Sequence, residues 1–242
     1  MSKIYEALRQ HQHKPITERD EPSLSAPVPS QALVAGREMQ ALYRSVEAVI
    51  GERSAGVMLM FASAHPGEGK STICAAFGAT LAQNFGKTVL ILDGDRNHPH
   101  IKRFGAASDS SVLTLAKAPE TVAQSAKRLS ARGSIAVIPI TSFVGFANAD
   151  SPELDMLASI KSKLTSAFDY LLLDVPSLAD VSWLPAIGRM ADGVILVVEA
   201  ERTRWPVAKN AKLEFEASGA KVIGAFLNKR KFYIPSRVYQ HL

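Results

Sequence analysis

An α/β fold with a mostly parallel central sheet and helices on both faces is predicted by three observations. Short, β-branched, apolar segments of strand length recur along the chain, stretches of helix length separate them, and a glycine-rich turn joins the first such strand to the helix after it. Strands linked by crossover helices run parallel and are covered on both faces, so they read as continuous apolar runs.

The strand candidates are 57–63, 88–92, 135–140, 170–173, 194–198 and 222–227. Before the first, Met39, Leu42, Tyr43, Val46 and Ile50 recur at three- and four-residue spacing and predict a helix over 37–50. Further helices are predicted over 70–85, over 151–167, where Ser151 can cap and Pro152 suits the first helical position, and over 206–218, which Gly219 is placed to end. Short helices are expected within 105–132. The domain plan is a short helix at 1–13 with Ile4 and Leu8 on one face, a flexible Pro-, Ser- and charge-rich linker at 14–36, and one domain at 37–242.

A chain of 242 residues that is 47% hydrophobic and 21% charged is long enough to bury one substantial core. Its longest apolar runs are strand-sized, well short of the roughly 20 residues that span a bilayer, and its charged start lacks the apolar stretch of a signal peptide. A cytoplasmic protein is expected. The single cysteine, Cys74, has no disulfide partner and reads as a small buried filler. A net charge of +5, weighted toward the C-terminal third, reads as a solvated basic face, and no specific nucleic-acid partner is expected.

The segment AHPGEGKST, Ala64, His65, Pro66, Gly67, Glu68, Gly69, Lys70, Ser71 and Thr72, follows an apolar strand and opens a helix, the context a phosphate-binding P-loop requires. The glycines let successive N–H groups curl toward a phosphate, and the helix adds the positive end of its dipole. Lys70 is positioned to reach the β- and γ-phosphates of ATP, and the Ser71 hydroxyl to ligate Mg2+. Two strands end in carboxylates that extend this site. LILDGD carries Asp93 and Asp95, with Asp93 expected at the metal or phosphate and Asp95 as the base-like group; YLLLD ends in Asp174, a second metal-site candidate. Asn228, closing the last strand, stands where a base-recognising amide often sits, or is a turn asparagine.

These motifs resemble those of the bacterial tyrosine kinases and their non-kinase relatives in exopolysaccharide and capsule biosynthesis, which are related to the deviant-Walker partition and cell-division ATPases. AHPGEGKST matches the Walker A motif, LILDGDRNHP the Walker A′, YLLLDVPS the Walker B, and DGVILVVEAERTR with AFLNKRKFYIP the closing strands, together covering about 37–240. The resemblance implies an ATP- and Mg2+-dependent protein docked on the cytoplasmic part of an inner-membrane polysaccharide copolymerase, many relatives phosphorylating tyrosines near their own C-termini. It implies nucleotide and Mg2+ binding by Lys70 and Ser71, a catalytic part for Lys70, Asp93 and Asp95, and a metal-linked carboxylate in Asp174. Departures are Arg96 and Asn97 after the second aspartate, Ala41 between Glu38 and Arg44 on the helix tied to ring assembly, which leaves a homo-oligomer open, and only Tyr233 and Tyr239 near the end. A non-catalytic ATP-dependent switch is the alternative; a partition-type ATPase is disfavoured because His65 stands where that class carries lysine.

Overall fold

The computed structural model describes residues 35–51, 53–94, 100, 104, 126–139, 152–181 and 184–230. All belong to the second of two units of the chain, Leu33–Leu242. The expected short helix at 1–13, the linker up to residue 34, Ser151, Asp95, Arg96, Asn97, Tyr233 and Tyr239 lie outside the described residues.

The described helices are α1 (Ala35–Ile50), α2 (Lys70–Asn84), α3 (Pro152–Ala167), α4 (Leu184–Gly188) and α5 (Trp205–Ala217). The strands are β1 (Val57–Ala62), β2 (Thr88–Asp93), β3 (Lys127–Arg128), β4 (Ser134–Pro139), β5 (Tyr170–Asp174), β6 (Gly193–Glu199) and β7 (Val222–Asn228). They form one seven-stranded sheet in the order β3-β4-β2-β5-β1-β6-β7. Every pairing is parallel except that of β3 with β4. No helix among the described residues is long and apolar enough to cross a membrane.

Strand alternation divides the buried side chains into two cores. On one face Leu59 and Phe61 of β1, Val89 and Ile91 of β2 and Tyr170 and Leu172 of β5 pack with Met39 and Val46 of α1 and Ile73, Phe77 and Leu81 of α2. On the other, Met58, Met60, Leu90, Leu92, Leu171 and Leu173 pack with Ile160 and Leu164 of α3, Leu184 and Ile187 of α4 and Phe215 of α5. Gly78 sits where α2 crosses the middle of the sheet: a Cβ there would lie 3.1 Å from Leu172 Cδ1. Its lack of a side chain lets α2 approach the central strands closely, at the cost a glycine imposes within a helix.

Three expectations are corrected. α1 takes in Ala35 and Gly36, the last two residues of the stretch expected as linker. Of 105–132, where short helices are expected, 105–125 lie outside the described residues, and in the described part Lys127–Arg128 forms an exposed antiparallel edge strand, paired through Arg128 with Ser134 and through Lys127 with Ile135. β7 is a strand as expected but is not covered on both faces: as the edge opposite β3 it leaves Leu227 51% exposed.

Candidate functional site

The turn between β1 and α2 is held from three sides. Behind it, the segment after β5 donates two backbone bonds, Leu178 N–H to the Ser63 carbonyl at 2.9 Å and Ala179 N–H to the Ala64 carbonyl at 3.0 Å. Inside it, Glu68 is 1% exposed, and its carboxylate accepts the N–H of His65 at 2.8 Å, the N–H of Glu199 at 3.3 Å and the hydroxyl of Thr203. From the end of β7, Asn228 Nδ2 donates to the Glu68 carbonyl at 2.9 Å and Lys229 Nζ to the Gly67 carbonyl at 2.7 Å. Lys229 also pairs with Glu199 at 3.1 Å, and together with Arg202 it holds the Glu199 carboxyl below the usual range.

With its carbonyls tied back, the turn enters α2 through Gly69, which is left-handed at φ 91° and makes no side-chain cap to the helix. Only glycine fits: the conformation is strained for any L side chain, and a Cβ would lie 2.2 Å from Asn228 Nδ2. A helix N-terminus without a side-chain cap presents N–H groups and a positive dipole end, the environment an anion seeks.

The carboxylates come from the neighbouring strands. β2 and β5 pair in a register that sets Asp93 directly beside Asp174. On both strands these residues share the alternation of Ile91 and Leu172, so both side chains face α2, where Lys70 begins the helix. Asp93 and Asp174 are fully buried and Lys70 is 8% exposed, with Lys70 Nζ 4.0 Å from Asp174 Oδ1. His100, 1% exposed, joins them: its N–H donates to Asp93 Oδ2 at 3.1 Å, and its Nε2 lies 2.8 Å from Asp174 Oδ2. Asp174 Oδ1 and His100 Nδ1 are buried without a hydrogen-bond partner among the described residues. Cys74, one turn into α2, is fully buried, and burial, with Asp174 and Asp93 adding, pushes its thiol well above the usual range, as befits a filler.

Of the residues expected at the site, the structure brings Glu68, Gly69, Lys70, Asp93, Asp174 and Asn228 together. Ser71 is half-buried, one residue into α2 from Lys70, Thr72 is exposed, and His65, Pro66 and Gly67 form the exposed tip of the turn. Asn228 meets the turn through the Glu68 carbonyl. The sequence reading missed three residues. Glu199 and Thr203 reach the turn from β6 and the loop after it, with no local pattern to mark them. His100 follows Asp93 by seven residues in a stretch without periodicity, where only its nearness to the paired carboxylates could have drawn notice.

No family model matches the chain. Among curated proteins, tyrosine-protein kinase CpsD of Streptococcus agalactiae is 32% identical over 178 residues, covering 71% of this chain and 74% of that protein. The chain belongs to the family of bacterial tyrosine kinases of capsule and exopolysaccharide synthesis. Tyrosine-protein kinase YwqD of Bacillus subtilis is 29% identical over 179 residues, covering 72% of each. The succinoglycan biosynthesis transport protein ExoP of Rhizobium meliloti is 30% identical over 175 residues, but the chain spans only 22% of its length. Solved structures share the fold. The kinase domain of the Escherichia coli tyrosine kinase ETK superposes with a TM-score of 0.66 at 18% identity, over 97% of this chain and 91% of that one. The cell-division protein MinD of Aquifex aeolicus shares the fold, with a TM-score of 0.55 at 21% identity over 77% of this chain and 73% of that one.

Proposed function

We propose that this family member binds ATP with Mg2+ at the turn 64–72 and transfers the γ-phosphoryl group to protein tyrosine. In this reading it works at the inner membrane through the cytoplasmic part of a polysaccharide copolymerase, in exopolysaccharide or capsule synthesis, with self-association open to it. The observation that carries the reading is the placement of Lys70, at the head of α2, against the buried pair Asp93 and Asp174.

The donor set fits a hard divalent cation: two buried carboxylates in register, one Asp174 oxygen without a hydrogen bond among the described residues, and the Ser71 hydroxyl on the first turn of α2. Asp93, Asp174 and Ser71 would hold it. Bound there, Mg2+ neutralises charge on the β- and γ-phosphates. Lys70 and the N–H groups at the start of α2 bind phosphate oxygens, and the residues of 64–72 enclose them. Asn228, tied to that turn, stands by for the base. Asp95, two residues beyond Asp93, accepts the phenolic proton as the tyrosine O–P bond forms, the bond to the β-phosphate breaks and ADP leaves.

Incubation with γ-labelled ATP, alone and with the copolymerase's cytoplasmic part, tests this. Label on the protein, mapped to phosphotyrosine at Tyr233 or Tyr239, is expected. No label and no phosphate release under either condition would remove the enzymatic reading. A second reading, a nucleotide switch without phosphoryl transfer, is favoured by the sparse tyrosines of the C-terminal stretch. It expects partner binding to depend on ATP in the native chain and to lose that dependence in Lys70→Ala, with no label in either.

A further inference from the structure

Family motifs account for Asp93, Asp174, Lys70 and Ser71; they do not account for His100, which no part of the reading above employs. We infer that His100 is a nitrogen ligand of the divalent-metal site, and that the site consequently takes a first-row transition ion such as Mn2+ in preference to Mg2+. This rests on the proposal that Asp93 and Asp174 hold a divalent cation.

Three observations carry it. First, Asp93, His100 and Asp174 are all buried, and each offers a donor atom within 4.8 Å of the others. Ligands opposite one another at about 2.1 Å from one ion stand about 4.2 Å apart, so donors within this limit reach a common ion with at most small side-chain shifts. Second, two atoms of this buried cluster have no hydrogen-bond partner among the described residues, Asp174 Oδ1 and His100 Nδ1. A metal-ligating histidine characteristically donates one ring N–H to a carboxylate or carbonyl and keeps the other nitrogen for the ion. Nε2, 2.8 Å from an Asp174 oxygen that can only accept, carries the ring proton and donates there, which leaves the Nδ1 lone pair unclaimed among the described residues and open to a metal ion. Third, the ring is not placed by Asp174 alone, because the backbone N–H of His100 is fixed on Asp93 Oδ2 at 3.1 Å. The imidazole is thus tethered to one carboxylate and aimed at the other.

The chemistry then sets the choice of ion. Mg2+ keeps near-octahedral oxygen shells, whereas an imidazole with two carboxylates is a mixed nitrogen and oxygen set that first-row transition ions accept more readily. Ser71 supplies a further oxygen from the helix side in the same arrangement.

The test uses the full chain loaded with Mn2+ and ADP and read by pulsed electron paramagnetic resonance. A histidine nitrogen coupling to protein-bound Mn2+ is expected, changing its isotope pattern when the imidazoles are labelled with 15N. That readout needs no variant. The coupling should vanish in His100→Gln and persist in His65→Gln, and the preference for Mn2+ over Mg2+ in competition should fall at least about tenfold in His100→Gln. Bound Mn2+ without a histidine coupling, or a coupling that survives in His100→Gln, overturns the inference and leaves the metal site standing. No protein-bound Mn2+ at all overturns both.

Discussion

The Glu68 carboxylate collects two backbone N–H groups and one hydroxyl while almost wholly buried, so its charge organises the turn between β1 and α2 from within. Glu68→Gln presents an amide NH2 to at least one of those donors and leaves it unsatisfied. A loss of about 1–3 kcal/mol in unfolding free energy is expected in urea denaturation, with weaker nucleotide binding. At Gly69 two costs coincide, the left-handed backbone and the close approach of Asn228. Gly69→Ala should lose both stability and nucleotide binding. Pairing it with Asn228→Ala should relieve only the collision, leaving about 1–2 kcal/mol of backbone strain measurable by the same denaturation. The glycines and Lys70 were readable as a motif because their chemistry is local. His100 was not, since its partners are 7 and 74 residues away in sequence and meet it only in the folded sheet.

Among elements, the strand-end carboxylates show what period-two reading can and cannot deliver. That β2 and β5 each end in a carboxylate follows from their apolar runs; that Asp93 and Asp174 stand side by side follows from strand order, which places β5 between β2 and β1. The misread edges have physical causes as well. Lys127–Arg128 is too short and too charged to register as a strand, and β7 carries an apolar run although it lies at an edge. At the opposite ends of the strands, Asp192 ties three elements together: it accepts the Met58 N–H at 2.8 Å and Lys161 Nζ at 3.0 Å and pairs with Arg53 at 2.9 Å. Burial raises its carboxyl, but these three partners outweigh that and hold it below the usual carboxylate range. A depressed folded-state value means the stabilisation is present above the unfolded value, near 3.9, and is lost as pH falls through the folded one. Asp192→Asn should therefore cost about 1 kcal/mol at neutral pH and flatten the loss of stability below about pH 4, read from urea midpoints across the acid range.

For the molecule as a whole, sheet, helices and phosphate turn converge on the ends of β1, β2 and β5, and a chain 32% identical to CpsD over most of its length shares that plan with tyrosine kinases. The α/β class was readable because buried parallel strands leave continuous apolar runs between helices. The linkage of β6 and β7 to the turn through Glu199, Asn228 and Lys229 was not, because it depends on tertiary closure. The central claim is that Lys70 and Asp174 serve one ATP·metal site. Calorimetric titration of ATP, with and without Mg2+, into the native chain, Lys70→Ala and Asp174→Asn tests it most directly. The account predicts metal-dependent binding in the native chain that weakens at least about tenfold, roughly 1.4 kcal/mol, in Lys70→Ala, and binding that no longer responds to Mg2+ in Asp174→Asn. Equal, metal-independent affinity in all three proteins, or no binding to the native chain, would contradict it.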